Sequence, residues 1–159
     1  MRALFVFLAL SIGSPTAPGA AMPGEPDAQV NQRSGIQQVK TALRIQVDVQ
    51  GTPVFVTLDD NQTSRDFIAM LPLTLTLEDY AATEKVADLP RRLSTAGAPA
   101  AMVPRTGDVT YYAPWGNLAI FYKDGHHSPG LIRLGGIGEQ VALFRRTAPL
   151  RATITLAEE

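Results

Sequence analysis

From residue 43 onward the apolar side chains fall on alternate positions. In TALRIQVDVQ, residues Leu43, Ile45, Val47 and Val49 alternate with polar ones, the period of a strand with one buried face. Gln50, Gly51 and Thr52 signal a turn into a second strand, Pro53 to Leu58. The period then changes. Phe67, Ile68 and Leu71 share one helical face, Thr63 with Asp66 supplies a capping-box pattern, and Pro72 stops the helix. Alternation returns at Leu73, Leu75 and Leu77, and EKVADL gives a further short strand. DVTYYA and NLAIFYKD predict two more strands around the turn PWGN, with Pro114 and Gly116 as its punctuation. GLIRLG is a seventh, IGEQVALFRR a second short helix, and Ala152, Ile154 and Leu156 mark a last strand. Eight short strands and two short helices predict a mainly β fold, a closed antiparallel barrel.

The stretches outside this pattern have their own character. The start, MRALFVFLALSIGSPTAPGAA, places Arg2 before an apolar run over residues 3–13 and then the small residues Gly19, Ala20 and Ala21. That is the order of a secretory signal, expected over residues 1–21. The run is short of the roughly 20 residues that cross a bilayer as a helix, so no integral membrane anchor is expected. Residues 22–38 read as a flexible linker, rich in Pro, Gly, Gln and Asn near their start, and residues 39–157 as the barrel domain. Inside that domain, PRRLSTAGAPAAMVPRTG is a loop long enough to carry function.

Composition narrows the possibilities. The chain has 159 residues, a hydrophobic share of 45% and no cysteine, so the core must hold the fold without disulfides, and thiol chemistry is excluded. The net charge is −1, and no basic run supplies the footprint that nucleic acid requires. The expectation is a periplasmic or secreted monomer without cofactor.

The segments DNQTSRDFIAMLPLTLTLEDYAATEKVADLPRRLST, GDVTYYAPWGNLAIFYKD and GLIRLG resemble those of the bacterial cyclophilin-like proteins, small domains of largely unassigned function. The resemblance runs from about Leu43 to Leu156 and implies an eight-stranded barrel closed by two helices. It stops short of the peptidyl-prolyl isomerases of the cyclophilin class. Their Phe-His-Arg and Gln-Gly-Gly-Asp strings do not occur here, so no catalytic residue carries over.

Candidate chemistry gathers around the rings Tyr111, Tyr112, Trp115, Phe121 and Tyr122. Tyr111 and Tyr112 must point to opposite faces of one strand, so at most one of them faces a site. Trp115 sits in a turn, where an indole packs over a barrel end or serves a ligand. Arg91 and Arg92 present either a solvated surface or a planar donor fork for a carboxylate or peptide carbonyl. Glu84 and Lys85, on opposite faces of a strand, read as exposed ion partners by default. The pocket candidates are Arg91, Arg92, Tyr112, Trp115, Tyr122 and Glu84, with Met102 and Phe121 as apolar wall. His126 and His127 lack a metal-ligand spacing, and no metal site is expected. Asp59 and Asp60 precede the first helix as capping carboxylates. The function expected is binding of a small molecule or an extended peptide. Peptidyl-prolyl isomerisation is the alternative, and hydrolysis through an unrecognised polar cluster a third.

Overall fold

The computed structural model of the protein describes residues 42–157. The signal and linker readings, residues 1–21 and 22–38, lie outside the described residues. Strands β1 (Arg44–Val49) and β2 (Thr52–Leu58) form a hairpin, with Val49 paired to Thr52 across a two-residue turn. Gln50 and Gly51 both have positive φ, 52° and 88°, which is the turn whose twist matches that of its strands. After helix α1 (Gln62–Ile68) come β3 (Leu73–Tyr80), β4 (Glu84–Asp88), β5 (Ala101–Met102), β6 (Asp108–Tyr112) and β7 (Asn117–Phe121). Then follow β8 (Ser128–Pro129), β9 (Leu131–Ile137), a 3₁₀ helix (Glu139–Arg145) and β10 (Leu150–Leu156).

Eight of these strands close into an antiparallel barrel in the order β1-β10-β3-β4-β7-β6-β9-β2. These are the eight strands that the alternation predicts. The two-residue strands β5 and β8 pair separately and escaped the pattern, because they are too short to show a period. The second helix forms with 3₁₀ geometry.

The barrel interior is filled. Ile45, Val47, Val54, Val56, Leu77, Ile120, Leu134 and Ile154 are buried there, and α1 and the 3₁₀ helix each add a phenylalanine, Phe67 and Phe144. At about 1.5–3 kcal/mol for each fully buried large apolar side chain, such a core can carry the fold without a cysteine. A second, smaller apolar cluster lies apart from it: Ala119, Phe121 and Leu131, with Val86, Met102 and Tyr112 against them. Along β7 the inward residues Leu118 and Ile120 alternate with Ala119 and Phe121 of this second cluster, so the strand is covered on both faces. Met102, from the β5–β8 ribbon, helps to cover the outer one.

Three local expectations change. The helix is capped by Asn61, whose side chain accepts from the Ser64 amide at 2.8 Å, and not by Thr63 with Asp66. Thr63 and Asp66 instead both reach Ser94: the Thr63 hydroxyl donates to its carbonyl at 2.8 Å, and Asp66 accepts from its amide at 2.8 Å. Asp59 and Asp60 are ion partners rather than caps, Asp59 of Arg133 and Asp60 of Arg65. Lys85 is fully buried, not exposed, because the alternation of β4 turns it inward. Its ammonium donates to the Ala148 carbonyl at 3.0 Å and lies 3.3 Å from Asp79.

Candidate functional site

Outside the barrel, over β4, β7, β6 and β9, lies a pocket of about 220 Å³. Its floor follows from register. Asn117, Ala119 and Phe121 occupy alternate positions on β7, Tyr112 pairs with Asn117 across the β6–β7 hairpin, and Glu84 pairs with Phe121 across β4–β7. Tyr80 and Trp115 complete the aromatic wall. Trp115 is 57% exposed and stands nearly perpendicular to both tyrosines, with ring centroids 5.6 Å from Tyr80 and 5.4 Å from Tyr112. On the two strands that flank its turn, Tyr111 and Ile120 are buried in the barrel at 1% and 0% exposure.

The turn that presents the indole is held from outside. Arg92 donates to the carbonyl oxygens of Ala113 at 2.5 Å and Pro114 at 3.3 Å. Gly116 closes the turn at φ +79°, donating to the Tyr112 carbonyl at 2.8 Å, in backbone geometry that a side chain would strain. Gly130 brings β9 in beside the turn: a Cβ there would meet Pro114 Cδ at 2.8 Å.

Two polar groups in the pocket lack partners. Asn117 is 4% exposed, and its Oδ1 is buried without a hydrogen bond. The Glu84 carboxyl forms no hydrogen bond or ion pair with any described residue, and burial pushes it up to about 7. Desolvation disfavours the charged form, and no cation lines the pocket to offset it.

Of the six predicted pocket residues, Glu84, Tyr112 and Trp115 line this pocket, and Arg91, Arg92 and Tyr122 do not. Arg91 is paired with Asp66 at 2.6 Å, and that hydrogen bond, with the Ser94 amide, holds the Asp66 carboxyl below its ordinary range. Arg92 braces the Trp115 turn. Tyr122 faces the interior, where its hydroxyl donates to Asp79 at 2.7 Å. Burial foremost, then Asp79, pushes the Tyr122 phenol up to about 12. Asp79 is held low in turn, first by this hydroxyl. Sequence reasoning missed Tyr80 and Asn117. The signal for Asn117 was its parity with Ala119 and Phe121; for Tyr80 it was the tight connection that sets it opposite Glu84.

A second hollow, of about 270 Å³, is lined by Ala96, Ala98, Pro99, Met102 and Ile132 with Arg133 at its rim. Arg133 is committed: its Nη1 donates to Asp59 at 2.5 and 2.6 Å and its Nε to Asp108 at 2.9 Å. His126 and His127 are exposed and line neither hollow. Among the described residues no three metal-ligating side chains converge.

The family profile described as "Cyclophilin-like family" matches residues 47–155. The chain belongs to the cyclophilin-like family. No curated protein matches the sequence. Among solved structures, this cyclophilin-like barrel is similar to the solution structure of a hypothetical protein from Archaeoglobus fulgidus, with a TM-score of 0.56 and 16% identity. The match covers 73% of this chain and 95% of that one, and at such identity it is a likeness of fold. Family and fold leave the activity to be argued from the pocket.

Proposed function

We propose that this cyclophilin-like domain is an exported binding module that takes a small molecule or an extended peptide in its outer-wall pocket. The observation that carries the reading is the orphaned Asn117 oxygen inside an aromatic-walled hollow. A buried acceptor without a partner costs about 1–3 kcal/mol, so a ligand that donates to it recovers that loss on binding. Trp115 supports the same reading, since an indole held out on a braced turn offers flat apolar surface to an incoming group. Export rests on the order of Arg2, the apolar run and the small residues through Ala21, and predicts a mature chain beginning near Met22. Mass spectrometry of exported material tests that start, and an intact Met1 on membrane-bound protein refutes it.

Peptidyl-prolyl isomerisation is the second reading. It calls for a hydrogen-bond donor to the imide nitrogen beside an apolar pocket, in a geometry that favours the twisted state alone. No arginine lines the Trp115 pocket, and Arg133 at the second hollow has two of its nitrogens engaged by carboxylates. Hydrolysis has less support: the serine in the lining, Ser128, donates its hydroxyl to the His126 carbonyl at 3.0 Å. A thermal-shift screen of small molecules and extended peptides tests the binding reading. Ligands should raise the midpoint of the native protein and lose that effect in Trp115→Ala. Equal shifts in both proteins would put the binding elsewhere.

A further inference from the structure

The one fully buried polar atom that the outer-wall pocket leaves without a hydrogen bond, among the described residues, is an acceptor, and the one ionisable carboxyl in its lining is another. Asn117 offers a buried amide oxygen, and Glu84 a carboxyl with no described partner. Around them stand Tyr80, Tyr112 and Trp115, three rings whose faces carry negative potential. No lysine or arginine lines the pocket. Such a lining repels an anion, and it gives a neutral apolar group nothing for Asn117 or Glu84. Its complement is a positive charge with hydrogens to donate, seated against aromatic rings. At about 220 Å³ the pocket suits a head group, below the roughly 300–1,000 Å³ of pockets for drug-sized ligands.

We infer that the outer-wall pocket takes an organic cation bearing N–H donors, an alkylammonium or a guanidinium group, with Glu84 as its counter-charge and Asn117 as its acceptor. This deepens the binding reading and rests on it. The free amine and the arginine side chain of an extended peptide share this chemistry.

The near-neutral titration of Glu84 agrees with the geometry, because a cation stabilises the carboxylate and its affinity should therefore rise with pH through about 7. The titratable groups about Glu84 are Tyr80, its pair across β3–β4, Tyr112 of β6, which lines the same pocket, and the Tyr122 phenol, which turns to the interior just past β7 and feels the Glu84 charge. Lys85 points to the other side of β4 and is tied to Asp79.

Trp115 is the only tryptophan, so its fluorescence reports on the pocket directly. Purified protein is titrated at pH 8 with butylguanidinium and benzylammonium, with the neutral analogues butylurea and benzyl alcohol, and with tetramethylammonium, which has no N–H. The two donor cations should bind most tightly. Glu84→Gln should weaken them roughly tenfold or more, as when one partner of a desolvated charge pair is removed, and should leave the neutral analogues unaffected. Asn117→Leu should reduce the advantage of the donor cations over tetramethylammonium, and circular dichroism of both variants confirms their folding. Tighter binding of a short arginine peptide than of butylguanidinium assigns the cation to a peptide; equal binding assigns it to a free molecule. Neutral analogues that bind as well as the cations, with no effect of Glu84→Gln, overturn the cation assignment and leave the pocket as a binding site. Binding by none of the probes overturns the cation assignment, and failure of the unbiased thermal-shift screen as well overturns the binding reading.

Discussion

The guanidinium of Arg92 donates to the carbonyl of Ala113 at 2.5 Å, and so fixes the turn that carries Trp115. Arg92 is exposed, yet its role is defined by this backbone contact and the weaker one to Pro114. Arg92→Ala should cost only about 1 kcal/mol of stability, the net worth of such hydrogen bonds. It should also raise the mobility of the indole. Time-resolved anisotropy of Trp115 checks this, and an unchanged local motion would mean that the turn holds without the arginine.

Lys85 and Asp79 pose the opposite case, a charge with no access to water. Lys85→Ala strips the Ala148 carbonyl of its donor, leaves Asp79 with the Tyr122 hydroxyl but without its cation, and empties the space of a fully buried stem, so it should destabilise by more than the roughly 1 kcal/mol of a surface pair. Denaturant midpoints measure it. A loss below about 1 kcal/mol would place the ammonium in solvent, as for a surface pair.

Stability should also carry the mark of Glu84. Its carboxyl ordinarily titrates near 4.5 and does so at about 7 in the folded protein, so between these values the folded state binds more protons than the unfolded. Stability from this group therefore falls as pH rises through that window. Glu84→Gln removes the decline, and the variant should gain on the native protein between pH 5 and pH 8. Parallel pH dependences for the two proteins would contradict the burial of this carboxyl.

Along the 111–124 stretch, burial and not size sets the weight of a side chain. Ile120→Ala should cost about 2–5 kcal/mol as a fully buried truncation. Trp115→Ala should cost less than Ile120→Ala despite the greater loss of atoms, because the indole is more than half exposed. Chemical denaturation of both variants tests the ranking, and a larger loss at Trp115 would make it a packing residue.

Much of this was legible in the chain because period-2 alternation is a local property. Leu43 to Val49 and Leu73 to Leu77 each announce a strand with a defined inward face, and the unbroken apolar run Leu118 to Tyr122 announces one covered on both faces. The site was legible in part. Trp115 stands out as an indole in a turn, and Tyr112 is set apart from Tyr111 by parity. Asn117 and Tyr80 did not stand out, because their shared pocket depends on β4 lying beside β7, a pairing between strands that are not consecutive. Lys85 was misread for a related reason. Parity puts it opposite Glu84, but which of the two faces the interior is decided by the Ala148 carbonyl and Asp79, groups that only the closed barrel brings near.

The central claim, that the outer wall around Trp115 is the binding site, is tested most directly by nuclear magnetic resonance. Isotope-labelled protein is titrated with the ligands that emerge from screening. The account predicts shift changes at the Trp115 indole N–H and the Asn117 side-chain amide, extending along β4 and β7 to Glu84 and Phe121. Shift changes confined to Ala96, Ala98 and Arg133 at the second hollow, with the Trp115 and Asn117 signals unmoved, would contradict it.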